Sequence, residues 1–396
     1  MKKIYGSFVW LIATFFVVYS FCLNTAAAVF SEAIKSSLHA NDLEIALAAG
    51  AFILGFAFMQ IPAGYLLDKF NARFIVSLSV LLLAIGNVAV SFSTNLAMFT
   101  LSNLIEGIGA SFAFISAAVL ISQWFSAKTF PILFGLTQTL SCILAGIIHY
   151  YFTLALTVYS WNYIYRGLAV SGFILFGLAL LFVKTPIDYK RSKSISLKKS
   201  FLNVFKNKQI LLCCLASGTS FGVLLAYASL WYMPISTYYG VQILDSVMLS
   251  GIIFAGIGIG TPLLGWFSNL IKSRITVIHI TLVTGTMALL LGIYLPHFNT
   301  SSLMIIKITS FLIGFLLSGS MLFYTIVSEI STDSERGVAL GLLNTTVFLF
   351  NTCLLFIPRI FITAASTEFF TYLWILPFLI LISILALYFI RDTYEH

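Results

Sequence analysis

Apolar runs of about twenty residues, separated by short polar breaks, repeat along the whole chain. A bilayer core about 30 Å thick needs about 20 apolar residues per helix at a rise of about 1.5 Å per residue. Twelve stretches qualify, at roughly 8–30, 45–66, 74–92, 96–122, 131–155, 164–183, 210–235, 248–268, 275–295, 303–328, 337–362 and 370–390. The pattern predicts an all-α integral membrane protein with twelve transmembrane helices and leaves no stretch for a sizeable soluble domain. Composition sharpens this: 60% of the 396 residues are hydrophobic and 9% charged, against about 25% charged in an ordinary soluble domain.

The N-terminus imitates a secretory signal, with Met1-Lys2-Lys3, an apolar run and Thr25-Ala26-Ala27-Ala28. The run is long for such a signal, and removing it would leave eleven spans, so it reads as an uncleaved first helix. Cys22, Cys142, Cys213, Cys214 and Cys353 all fall inside apolar runs at irregular spacing. That arrangement suggests buried free thiols, not a disulfide framework or a metal site.

The longest break, Lys184 to Gln209, falls between the sixth and seventh runs. It divides the chain into a six-helix bundle at 1–183, a basic linker at 184–209 and a second six-helix bundle at 210–396. Within the linker Leu197, Phe201, Val204 and Phe205 recur at helical spacing among Lys198, Lys199, Lys206 and Lys208. This is the pattern of a helix lying in the interface of an anionic membrane; a solvated linker is the alternative for 184–196.

Charge sets orientation. With the N-terminus cytoplasmic, 17 of the 21 Lys and Arg fall on that side, eight of them between Lys184 and Lys208. Both termini are then cytoplasmic. The net charge of +8 is a topology signal; no basic groove interleaved with aromatics points to nucleic acid.

The halves repeat. Gly64-Tyr-Leu-Leu-Asp68-Lys69-Phe-Asn-Ala-Arg73 follows the second run, Gly265-Trp-Phe-Ser-Asn269-Leu-Ile-Lys-Ser-Arg274 follows the eighth, and Pro62 and Pro262 precede them. Two halves with a repeated cytoplasmic turn are what a transporter built of parallel repeats requires. Gly64 to Arg73 closely resembles the signature loop of the major facilitator superfamily, Gly-x-Leu-x-Asp-Arg/Lys-x-Gly-x-Arg, and the whole chain resembles its members. Asn71 replaces the second glycine; Asn tolerates positive φ, so the turn is expected to survive. The resemblance implies a latch: Asp68 faces the start of span eleven near Gly337 while Arg73 steadies the carboxylate. Asn269 replaces the acid in the second half, so its latch is expected to be weaker, with the segment Ser328-Glu329 to Arg336-Gly337, which resembles the family's acidic loop between spans ten and eleven, as the source of the missing carboxylate for Arg274.

The resemblance also places spans one, four, seven and ten around a central cavity. Candidate substrate residues are Tyr19, Asn24, Asn103, Tyr227, Trp231, Tyr324, Asn351 and Arg359, with Gln138, His149 and Asn344 as second choices. An isolated Asn or Tyr in a span also serves as a helix-to-helix hydrogen bond. In Leu101 to Phe114, which resembles the family's span-four motif Arg-x-x-Gln-Gly-x-Gly, Asn103 stands for the arginine and Glu106 for the glutamine. The resemblance ties that arginine to proton transfer, so its absence weakens the inherited argument for proton coupling here. Glu106 is the candidate proton site, since an ionised side chain at mid-membrane costs about 2.5–3.5 kcal/mol or more; a hydrogen bond between helices, among close-packed Gly107, Gly109, Ala110, Ala113 and Ala117, is the alternative.

Span five lacks the Gly-x-x-x-Gly-Pro-x-x-Gly-Gly pattern of the family's drug exporters, which favours uptake. YASLWYMP (Tyr227 to Pro234), SQWF (Ser122 to Phe125) and GLTQT (Gly135 to Thr139) resemble bacterial importers of small organic solutes. The expectation is a monomeric secondary active transporter of a small polar organic solute in the bacterial inner membrane, proton-driven and without cofactor or metal. Its partners are the solute and membrane lipid. Exchange or export, including iron-chelate or amino-acid traffic, and a nutrient receptor on a transporter fold are the alternatives. No nucleophile, base and acid converge as an enzyme would need.

Overall fold

The computed structural model describes residues 2–186, 196–294, 302–361 and 373–394. Among these, every regular element is helical. Among the described residues eleven helices are long and apolar enough to cross a membrane, and a further apolar helix, Ile375–Leu387, is shorter. Residues 362–372 before it, and linker residues 187–195, lie outside the described residues.

The chain forms two compact units, one of Met1–Ser126, Leu140–Phe201 and Thr332–Gly341, the other of Ala127–Thr139, Leu202–Ser331 and Leu342–His396. The N-terminal ends of spans five and eleven therefore each belong to the unit opposite their own half of the sequence.

The first unit contains α1 (Lys2–Val29), short α2 (Ser31–Leu38), α3 (Asp42–Lys69), α4 (Ala72–Ser91), α5 (Leu96–Ala110) running on after Ser111 as α6 (Phe112–Trp124), the later part of α7 (Phe130–Ala155), and α8 (Trp161–Phe182). Local chemistry starts these helices. Asn41 and Glu44 form a reciprocal capping box on α3, and the side chains of Asn71 and Asn95 cap α4 and α5, each satisfying amides a helix start leaves open. In this unit α3 packs on α5, α4 on α5 and α8, and α1 on α6.

The linker ends in α9 (Leu197–Lys206), which buries Ser200 and Val204 and exposes Leu197, Phe201 and Phe205. The second unit's seventh span passes through α10 (Lys208–Ser217), a π-helical turn (Gly218–Gly222), α11 (Val223–Ala226), another π turn (Tyr227–Trp231) and α12 (Tyr232–Tyr238). Then come α13 (Ile243–Ile271), α14 (Arg274–Tyr294), α15 (Leu303–Leu317) leading through a 3₁₀ turn into α16 (Leu322–Ile330), α17 (Arg336–Phe361) and α18 (Ile375–Leu387). Here α13 packs on α15, and α14 on α15 and α18, repeating the first unit's pairings.

The repeat extends to single glycines. A Cβ at Gly107 would run into the Phe52 backbone, and one at Gly55 would meet Ile108 N at 3.1 Å. In the second unit a Cβ at Gly314 would run into the Ile253 backbone, and one at Gly256 would meet Phe315 N at 2.8 Å. Each unit thus crosses two spans backbone to backbone, which apolar packing within a membrane favours because the hydrophobic effect gives no drive there.

Candidate functional site

In the first unit the signature loop meets the first turn of α17. A Cβ on Gly64 would lie on the Gly337 carbonyl and 2.8 Å from Val338 N, while one on Gly337 would lie 2.8 Å from Asp68 Oδ1. Two missing side chains bring the backbones together. Asp68 then accepts from the amides of Gly337 (2.8 Å) and Val338 (3.1 Å), placing a carboxylate at a helix N-terminus. Arg336 pairs with Asp333 at 2.6 Å and donates to Ser122 at 3.3 Å. The Lys69 ammonium lies 5.4 Å from the rings of both Tyr65 and Phe70.

Two expectations for this loop are corrected. Arg73 does not steady Asp68: its Nε donates to the Leu180 carbonyl and its amide to Asn71 Oδ1 (3.0 Å), so it ties the loop to α8. Asn71 does not take positive φ; at φ −64° it is the N-cap of α4. An Asn side chain can cap where a glycine cannot, and this satisfies the helix start without a left-handed turn. The left-handed residue occurs at the equivalent place in the second half, Lys272, at φ 56°.

In the second unit a Cβ on Gly265 would lie 2.8 Å from the Pro131 carbonyl. Asn269, where the acid is missing, donates to the Lys128 carbonyl at 2.7 Å. One neutral hydrogen bond thus stands where the first unit has two charge-assisted ones. Arg274, 1% exposed, lies 3.1 Å from Glu329 and donates to Ser268 (2.6 Å) and Asn269 (2.7 Å). Sequence reasoning missed Asp392, Thr393 and Tyr394, which reach this cluster: Asp392 accepts from the Arg274 amide at 3.1 Å, Thr393 donates to Glu329, and the Tyr394 ring lies 5.0 Å from the Arg274 guanidinium. Only a polar stretch ending an apolar chain, Arg391-Asp-Thr-Tyr394, hinted at them.

Glu106 is fully buried within the first unit, and neither carboxylate oxygen has a hydrogen-bond partner. A Cβ on Gly86 would lie 2.5 Å from its Cγ, so the glycine makes the room that Glu106 occupies. Its neighbourhood is polar. Asn87, next along α4, donates to the Tyr19 hydroxyl (3.0 Å) and to the Leu83 carbonyl, leaving Oδ1 unpartnered; Tyr165 OH is buried and unpartnered too. Aligning the repeats on Gly107 and Gly314, whose contacts match, puts Ile313, fully buried, at the position of Glu106. The same crossing therefore packs with an aliphatic side chain.

The other cavity candidates divide between the two units. Tyr19 donates to the Leu168 carbonyl (2.8 Å) and Asn103 to the Phe99 carbonyl (2.8 Å), while Asn24 is exposed; all three lie in the first unit, as does His149, bonded to Thr25. In the second, Tyr227 and Gln138 are buried, Trp231 donates to the Leu354 carbonyl (3.0 Å), and Tyr324 donates to Asn344 (2.6 Å). Asn351 Oδ1 has no partner, nor have the hydroxyls of Ser217 and Thr325, which sequence reasoning did not single out. The side chain of Arg359 lies outside the described residues. Among the described residues no group of His, Cys, Asp and Glu is placed to hold a metal ion.

Comparison with known proteins accords with this architecture. The sequence profile of the Major Facilitator Superfamily matches residues 11–351. The chain is 22% identical over 173 residues to the multidrug resistance protein MdtL of Shewanella sp. (strain ANA-3), covering 44% of each chain. It is 23% identical over 175 residues to the probable galactarate/D-glucarate transporter GarP of Escherichia coli (strain K12), covering 42% of this chain and 38% of that one. The matched stretch thus spans less than half of each of these curated relatives. The solved proton:xylose symporter XylE shares the fold, with a TM-score of 0.75 over 99% of this chain and 97% of that one at 14% identity.

Proposed function

We propose that this chain, which belongs to the major facilitator superfamily, is a secondary active transporter that takes up a small polar organic solute by alternating access. It acts as a monomer in a bacterial cytoplasmic membrane with both termini inside, driven by protons, with no cofactor. The observation that carries the coupling is Glu106. A fully buried carboxyl without a partner is held as the neutral acid, because ionising it at mid-membrane costs about 2.5–3.5 kcal/mol or more. The second unit packs the same crossing with Ile313, so the fold does not require the acid. A costly group that packing does not need is a functional group by default.

The polar character of the solute is supported by Ser217, Thr325 and Asn351, whose unpartnered oxygens lie within the second unit; Ser217 immediately precedes the π-helical stretch of span seven. Such π turns concentrate at functional sites. Uptake is supported by α7, whose only proline is Pro131 at its first turn. Export is the second reading, favoured by the similarity to a multidrug resistance protein.

The test is Glu106→Gln in sealed vesicles, screened first for a solute among sugars, sugar acids, amino acids and ferric chelates. Proton-driven accumulation is expected to vanish while solute exchange persists. Full accumulation by the variant, still collapsed by a protonophore, removes Glu106 from the coupling. Accumulation only in inside-out vesicles establishes export, and binding without any translocation establishes a receptor.

A further inference from the structure

The segment after α18 is tied at four successive residues, all within the second unit. The Arg391 amide donates to Gln209 Oε1 (2.8 Å), and Gln209 Nε2 donates to the Phe389 carbonyl (2.9 Å). Asp392 accepts from the amides of Arg274 (3.1 Å), Ile275 (3.3 Å) and Tyr394 (3.1 Å) and from the Ser273 hydroxyl. Thr393 donates to Glu329 Oε2, whose other oxygen faces Arg274. The Tyr394 ring lies 5.0 Å from the Arg274 guanidinium and 5.7 Å from Lys128 Nζ. Each fixed residue gives up backbone entropy, so four in succession need a reason.

The repeat supplies it. In the first unit the signature acid, Asp68, occupies a helix N-terminus. In the second that position is the neutral Asn269, yet a carboxylate still occupies a helix N-terminus, Asp392 on the first amides of α14. Arg274 pairs with Glu329, and the Tyr394 ring is shared by two cations, Arg274 and Lys128. Arg274 Nε has no hydrogen-bond partner, and the Tyr394 ring packs against the guanidinium.

We infer that Asp392, Thr393 and Tyr394 are positioning residues of the second unit's gating loop, holding Arg274 on Glu329 so that Asn269 reaches the Lys128 carbonyl in the absence of the signature acid. The inference rests on the reading of the repeated loops as gates. Its chemistry is that of a strap: release frees the starts of α14 and α7 together.

The experiment uses full-length protein in a background lacking its native cysteines, with Ser331→Cys as reporter. Ser331 is 7% exposed at the end of α16. A water-soluble maleimide is expected to label Asp392→Ala and Tyr394→Ala about tenfold faster than the parent, the loss of one charged hydrogen-bond acceptor or one cation–ring contact. Tyr394→Phe, which keeps the ring, is expected to label at the parent rate. Parent-rate labelling of Tyr394→Ala, or equal acceleration by Tyr394→Phe, overturns the strap. Faster labelling with unimpaired proton-driven uptake overturns its part in gating. Should the variants misfold, hydrogen exchange on the parent protein decides: the amides of Arg274, Ile275 and Tyr394 share Asp392 and are expected to exchange at a common rate, and independent rates overturn a single releasing unit.

Discussion

Asp68→Asn removes the charge at the start of α17 while keeping the shape. In the wild type one carboxylate oxygen faces the Gly337 amide at 2.8 Å and the other the Val338 amide at 3.1 Å. The amide side chain can accept only one of these bonds and turns an N–H toward the second donor. A hydrogen bond to a charged group contributes about 1.5–3 kcal/mol, and a partly buried charge at a helix terminus up to about 2 kcal/mol; both describe the same contact, so about 2 kcal/mol is the figure for its loss. That is about 30-fold in a two-state population. Ala63, fully buried beside Gly64, is the reporter: as Ala63→Cys it is expected to react with a water-soluble maleimide about 30-fold faster once Asp68 is Asn. Gly64→Ala is expected to act in the same direction, because its Cβ falls on the Gly337 carbonyl. An unchanged rate in both variants would reduce the loop to a topology signal, since a contact whose loss leaves populations alone cannot gate.

Gly107→Ala and Gly314→Ala each place a Cβ on the backbone of a facing helix, an overpacking that costs about 1–3 kcal/mol; lowered thermal midpoints in detergent for both are expected, and tolerance of either would break the packing repeat. Asp392 sits below its ordinary carboxylate range: burial pushes it up, but the Ser273 hydroxyl and the amides of Tyr394, Arg274 and Ile275 outweigh it. A depressed folded value means its contribution is complete above the unfolded value of about 3.9 and is lost as pH falls through the folded one. Because the thiolate is the reacting form, labelling of Ser331→Cys is read relative to a free thiol at the same pH; that ratio is expected to be insensitive to Asp392 from neutral pH down to the ordinary carboxylate range and to rise only below it, and a rise that persists unchanged in Asp392→Asn assigns it elsewhere. Ser194→Cys, in the basic linker, is expected to react with an impermeant thiol reagent only after cells are opened, and reaction in intact spheroplasts would invert the orientation.

The apolar period carried the helices, and the Gly64 motif placed Asp68 near Gly337, whose amide it accepts from. What period and motif could not carry was the identity of partners. The family resemblance pairs Arg73 with Asp68, yet its guanidinium goes to the Leu180 carbonyl, a group with no sequence signature. Asn71 was given the glycine's conformation because it replaces glycine, but its side chain offered the backbone a cap instead. Contacts from the chain's far end, Asp392 to Arg274 and Thr393 to Glu329, were invisible for the same reason: a carbonyl, an amide or a short polar tail becomes a partner only when the fold brings it near.

The two units then act as controls on each other, which a single bundle could not. Where both carry the same residue at equivalent positions, as with Gly107 and Gly314 on the backbones of Phe52 and Ile253, the shared requirement is packing. Where they differ at a fully buried position, packing is satisfied both ways and the difference has another cause. Glu106 against Ile313 is such a difference, and Asp68 against Asn269 is a second at a partly exposed one. In both, the first unit carries the acid. On the proposed proton-driven cycle Glu106 is the group whose charge changes and Asp68 the contact that breaks; both belong to the first unit, joined through α3, which bears Asp68 at its end and packs along α5, the helix of Glu106. Protonation of Glu106 and release of Asp68 are thus expected to be coupled through one helix pair, and the Glu106→Gln variant should alter the labelling of Ala63→Cys without any change at the loop itself. Identical labelling in Glu106→Gln and its parent would separate the ion site from the gate.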